Sequence, residues 1–165
     1  AIRSWPDESG APRFSRVNLV FDFGGVVLRW EPQEFLIRLL PERAPTPDAA
    51  RRFAGEFFQV FGGDWGEFDR GRIEPGPLAA RIAARIGLTV AEAQRVIDAI
   101  PDELQPIPET VALLQRLHAA GHVLFFLSNM PLPYVRHIAR RAGWRGLRFE
   151  GAGRCARQLA RLGVR

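Results

Sequence analysis

The chain has 165 residues, 47% of them hydrophobic and 25% charged, a composition that excludes general disorder and fits one soluble domain or a compact domain with a small insertion. No apolar run approaches the roughly 18 to 20 residues of a membrane span, so no membrane partner is expected, and the single cysteine, Cys155, has no internal disulfide partner. The net charge of +5 is unevenly distributed, since residues 1–135 carry −3 and residues 136–165 carry +8, with nine arginines against Glu150 alone.

All 23 basic residues are arginine, a bias expected of a GC-rich genome given the abundant Ala, Gly and Pro. A basic tail can contact phosphates non-specifically, so nucleic acid is a minor expectation, ranked below a solvated face or an artefact of the sequence. Residues 1–15 are polar, contain Pro6, Gly10 and Pro12, and lack the basic-then-apolar order of a secretory signal. They read as a mobile leader on a cytoplasmic protein.

From Arg16 an apolar, β-branched and aromatic run ends at Gly24-Gly25, the pattern of a central strand covered on both faces, with Asp22 near its carboxyl end. Residues 31–104 then change to helical periodicity, with helices expected over 32–40, 47–61, 64–70, 76–87 and 89–100. Thr89 and Glu92 have the spacing of a capping box for the last of these. Pro106 and Pro108 mark the exit. A helix over 109–120 stopped by Gly121 leads to a second buried strand at 123–127, and Pro131 opens a further helix to about 142, stopped by Gly143. Two buried strands joined by a helical crossover imply parallel neighbours in an α/β sheet. After Trp144 the alternation of strand and helix patterns is lost.

In open α/β sheets ligands bind beyond the carboxyl ends of the strands, where this sequence places Asp22 and Ser128. Asp22 followed by two glycines reads either as a turn-capping aspartate or as a nucleophile beside a backbone that can approach an anion. Ser128 alone reads as a strand-closing cap of the next turn. Together they form a pocket for a nucleophile and an anion-orienting group. Asp22-Phe23-Gly24 also spells the metal-binding triplet of protein kinases, but the glycine-rich loop, upstream lysine and catalytic-loop aspartate are missing. No G-x-G-x-x-G follows the first strand, which excludes a dinucleotide site of that kind.

Leu19-Val-Phe-Asp22-Phe-Gly-Gly25-Val-Val-Leu resembles the first motif of the haloacid dehalogenase-like (HAD) hydrolases, and Phe125-Phe-Leu-Ser128-Asn129 resembles the second. Trp65-Gly-Glu-Phe-Asp-Arg-Gly71-Arg-Ile is similar to the helical cap inserted between them, and the segment from Pro106 to Gly121 to the helix that precedes the second motif. The resemblance covers roughly residues 16–142 and implies a Rossmann-like parallel core formed by 16–30 and 105–165, with an all-helical cap over 31–104. It further implies a magnesium-dependent phosphatase, with Asp22 as nucleophile and metal ligand and the carbonyl of Gly24 as a second ligand to Mg²⁺. The amides of Gly24, Gly25 and Asn129 and the hydroxyl of Ser128 would hold the phosphate of a small phosphorylated metabolite, with sugar phosphates the first expectation and C–halogen hydrolysis a second use of the same nucleophile. Asp64, Glu67 and Asp69 read as surface charges of the cap.

Two departures from the family pattern stand out. Gly24 occupies the place of the usual acid/base aspartate, and residues 144–165 lack both the third-motif cation and the fourth-motif acids, leaving Arg148 or Arg154 as arbitrary candidates for the cation and Glu150 as the sole acid after Glu109. The expectation is therefore a core incomplete at its C-terminal end, through truncation or a shifted reading frame. The alternative is a catalytically inactive HAD-like binding domain whose Arg-rich tail meets an acidic partner. Oligomeric state is open at this level.

Overall fold

A computed structural model describes residues 16–59, 62–126 and 128–141; Arg148, Glu150 and Arg154, and the rest of the Arg-rich tail from residue 142 on, lie outside them. The elements in order are β1 (Asn18–Phe21), α1 (Pro32–Leu39), α2 (Pro47–Phe58), α3 (Gly63–Asp69), α4 (Pro75–Ile86), α5 (Val90–Glu103), α6 (Pro108–Ala119), β2 (Val123–Phe126) and α7 (Leu132–Arg141). β1 and β2 pair in parallel, from Asn18 opposite Val123 to Phe21 opposite Phe126. A parallel pair cannot close through a tight turn, and here all six intervening helices fill the crossover.

Local chemistry explains the helix starts. Pro sits in the first turn of α1, α2, α4 and α6, where its missing N–H leaves no bond unmade. Thr46 caps α2 by accepting from the Ala49 N–H, and the Thr89–Glu92 capping box of α5 is present in both directions. At the other ends, Gly87 closes α4 and Gly121 turns the chain from α6 into β2, both at left-handed φ. The apolar faces of these helices meet around Leu36, Phe57, Phe68, Leu78, Ile82, Val96 and Ile97, all at most 1% exposed.

The helical block leaves and rejoins the sheet region through adjacent segments. The Arg29 N–H donates to the Gln105 carbonyl at 2.8 Å and the Ile107 N–H to the Val27 carbonyl at 2.9 Å, so entry and exit are tied side by side. The side chain of Arg38 on α1 pairs with Glu103 at the end of α5, and Arg95 of α5 donates to the Leu39 carbonyl.

Two expectations need correction. β1 is not covered on both faces among the described residues: Val20 is 59% exposed and Val17, just before the strand, 45%. The fifth helix also continues past residue 100 to Glu103 with Pro101 inside it. A proline in a helix removes the bond to the carbonyl four residues back, here that of Ile97. That carbonyl accepts instead from the Tyr134 hydroxyl of α7 at 2.7 Å. Burial, reinforced by Asp98 and Asp69, pushes the Tyr134 phenol well above its ordinary range, so it remains a donor throughout the physiological range.

Tyr134→Phe should therefore lower stability by about 1–3 kcal/mol, since it leaves a buried carbonyl unpaired. In a Pro101→Ala background the backbone N–H restored at position 101 can donate to the Ile97 carbonyl, and the same substitution should cost measurably less. Urea unfolding of the four chains in this double-mutant cycle reads the coupling directly; additive effects would contradict it.

Candidate active site

Register alone brings the two sequence motifs together. Asp22 is the first residue beyond β1, and Ser128 the second beyond the end of β2, so both leave the same end of neighbouring parallel strands, which lie about 4.8 Å apart in such a pair. Asp22, Gly24, Gly25 and Asn129 are exposed and Ser128 is half-buried. Asp22 Oδ1 accepts from the N–H of Phe23 at 2.6 Å, which fixes the carboxylate against its own loop. The Phe23 ring packs edge-on against Phe126 with centroids 4.6 Å apart, joining the first loop to the end of β2.

The loop after Asp22 is a tight coil around one acceptor. The Phe23 carbonyl receives the N–H groups of Val26, Val27 and Leu28 at 2.8–3.3 Å. Gly25 stands at φ +76°, a conformation that only glycine adopts easily, and its N–H donates to the Leu28 carbonyl at 2.8 Å. An anion would have to draw that amide away from Leu28. Gly24 differs: among the described residues neither its N–H nor its carbonyl is hydrogen-bonded, and a Cβ built there meets nothing within 4 Å.

No cluster of three or more His, Cys, Asp or Glu side chains occurs among the described residues. The Asp22 carboxylate and the unengaged Gly24 carbonyl are nonetheless hard oxygen donors, the type that magnesium takes alongside water and phosphate oxygens. The donor set therefore fits magnesium in kind.

Of the three acids on α3, two sit in surface ion pairs as expected, Asp64 with Arg81 and Arg85 and Glu67 with Arg70 and Arg72, at 3.2–3.4 Å. Asp69 departs from that expectation. Burial pushes its carboxyl up to about 7, only partly opposed by the Arg70 guanidinium. It ends the helix whose Phe68 packs edge-on against Tyr134, centroids 5.5 Å apart.

The structure also contains a chain of aromatic rings that the sequence motifs do not announce. Trp30, on the segment leaving Asp22, contacts Phe58 of α2 at 5.5 Å; Phe58 contacts Trp65 of α3 at 4.8 Å; Trp65 contacts Phe68 at 5.4 Å; and Phe68 reaches Tyr134 of α7. Their positions in sequence are too scattered for periodicity to reveal them. The excess of Trp and Phe at 57, 58, 65 and 68 is the one signal that could have pointed to it.

No family model matches the chain. It is 25% identical over 114 residues to the sesquiterpene phosphatase astK of Aspergillus oryzae, covering 69% of this chain and 52% of that protein. The fold resembles the HAD family enzyme bt-2542 from Bacteroides thetaiotaomicron. With the crystal structure of that enzyme bound to magnesium and inorganic phosphate, the TM-score is 0.54 at 19% identity, covering 78% of this chain and 60% of the enzyme. With a second crystal structure of it, the TM-score is 0.58 at 19% identity, covering 84% and 68%. The chain thus spans about half the length of the curated relative it matches.

The raised Asp69 carboxyl predicts a pH-dependent stability. Below about pH 4 the group is neutral in both folded and unfolded chains; between about 4 and about 7 it ionises in the unfolded chain first, so stability falls as pH rises through this window. Asp69→Asn should flatten that part of the profile and make the variant more stable than the parent at pH 8 but not at pH 4. Denaturant midpoints across the range provide the check, and parallel profiles would contradict it.

Proposed function

Because its fold is that of the HAD-like hydrolases, we propose that this chain is a phosphatase that hydrolyses a small phosphate ester through an aspartyl-phosphate on Asp22. The observation that carries the reading is the pairing register, which sets Asp22 and Ser128 at one end of adjacent parallel strands. The likeness to a sesquiterpene phosphatase and to a HAD family enzyme crystallised with magnesium and phosphate supports the same reaction class.

In this reading an Asp22 oxygen attacks phosphorus, the bond to the ester oxygen breaks, and the leaving alcohol takes up a proton. Water then attacks the phosphorus of the acyl phosphate, releasing inorganic phosphate and restoring the carboxylate. The Ser128 hydroxyl and the amides of Gly24 and Asn129 hold the phosphoryl oxygens, joined by the Gly25 amide when it parts from Leu28. The Asp22 carboxylate and the Gly24 carbonyl would hold magnesium, which when bound would supply positive charge against the phosphoryl oxygens. Residues 31–104 act as the cap that shields the site and selects the substrate. Gly24 provides no acid, so the leaving oxygen draws its proton from solvent, to which this loop is exposed.

Asp22→Asn should reduce phosphate release by about a thousandfold or more, and Ser128→Ala by about ten- to a hundredfold, the scale of one hydrogen bond to a charged group. Release of inorganic phosphate with and without a chelator, together with trapping of a phosphoryl adduct on Asp22, tests the scheme. Full activity in Asp22→Asn would end it. A Cβ at Gly24 meets nothing within 4 Å, and Gly24→Asp should raise turnover of esters with poor leaving groups by about a hundredfold through general acid catalysis, while leaving activated esters nearly unchanged.

A further inference from the structure

Trp30, Phe58 and Trp65 are each half-buried, and they touch one after another, with interplanar angles of 76° for Trp30–Phe58 and 89° for Phe58–Trp65. Beyond Trp65 the arc continues into the buried rings Phe68, 1% exposed, and Tyr134, 5% exposed. Its two ends have defined origins. Trp30 lies on the segment that begins at Asp22 and passes through the bridge between Gly24 and Leu28. Tyr134 lies in the first turn of α7, the helix that follows Ser128 and Asn129. The arc thus links, through two helices of the insertion, the segment that follows Asp22 and bridges Gly24 to Leu28 with the helix that follows Ser128 and Asn129.

The chemistry of that arc is one-sided. Partly exposed aromatic rings in mutual contact form an apolar surface, the kind that lines organic-ligand pockets. Two of the three acids on the same helix face other charges, Asp64 with Arg81 and Arg85 and Glu67 with Arg70 and Arg72, and the third, Asp69, is held toward its neutral form by burial. A polyhydroxylated leaving group needs hydrogen-bonding side chains placed to meet it, and Trp30, Phe58 and Trp65 provide ring faces instead.

We propose that the substrate is a phosphate monoester of a predominantly apolar alcohol or phenol, whose hydrocarbon portion rests on the rings of Trp30, Phe58 and Trp65; this rests on the phosphatase reading above. Sugar phosphates, the first expectation from sequence, are then poor substrates. The rings set specificity and take no part in the transfer of the phosphoryl group.

A series of phenyl, 4-ethylphenyl and 4-butylphenyl phosphates tests this, because the leaving groups are nearly equal in reactivity while the apolar length grows. Binding is followed by tryptophan fluorescence and hydrolysis by phosphate release, each on the full chain with magnesium. The expected result is that affinity and kcat/KM rise along the series, by about tenfold or more from phenyl to 4-butylphenyl. Phe58→Ala should flatten the rise from phenyl to 4-butylphenyl phosphate. A flat series for the unaltered chain overturns the proposal even if phosphate is released from every member. A fluorescence titration that strengthens with length but yields no phosphate upholds apolar recognition and counts against the reaction itself. The series on the unaltered chain decides the matter should Phe58→Ala fail to fold.

Discussion

Everything in this fold follows from the parallel pairing of two four-residue strands. Parallel neighbours must be joined by a long crossover, and the crossover here carries the whole helical insertion. The same pairing puts the residues after both strands on one edge, which is why a carboxylate and a hydroxyl more than a hundred positions apart in sequence come to lie there together. Shifting the register by one residue would exchange the faces of β2 and turn buried Leu124 and Phe126 outward, so the burial of those two side chains is what holds Asp22 and Ser128 at a common level.

The insertion is bound to the rest of the chain by two different kinds of contact. At its base, the segments around Val27 and Ile107 exchange backbone hydrogen bonds, an arrangement that is short and local. Farther out, α7 reaches across to α5 through Tyr134 and through the contact of His137 Nε2 with Asp102 Oδ1 at 3.0 Å. The second set joins the element that follows Ser128 to the helices of the insertion.

Much of this was legible in the sequence, because the signals were local. The helix starts at Pro47, Pro75 and Pro108, the Thr89–Glu92 box and the glycine turn at 121 each depend on residues within a few positions of one another. The parallel neighbours followed from connectivity, and the site edge from the rule for strand ends. What escaped was long-range. Asp69 has the same local sequence character as Glu67, two residues before it, and differs only in what packs around it. The exposure of Val20 depends on what packs over that face of β1, which no property of the run 17–27 encodes. Pro101 reads locally as a helix end because the group that makes its presence tolerable comes from residue 134.

That last pair has a meaning for how such chains diverge. A proline at 101 and a hydroxyl at 134 are two halves of one solution to a single unpaired carbonyl, and neither half is useful without the other. Related chains with an ordinary residue at 101 have no need of the hydroxyl, and phenylalanine at 134 would serve them equally well for packing against Phe68. The two positions, 33 apart in sequence and on different helices, are thus expected to change together across relatives. Their covariation would trace the docking of α7 onto the insertion, even in sequences too dissimilar to align over their motifs.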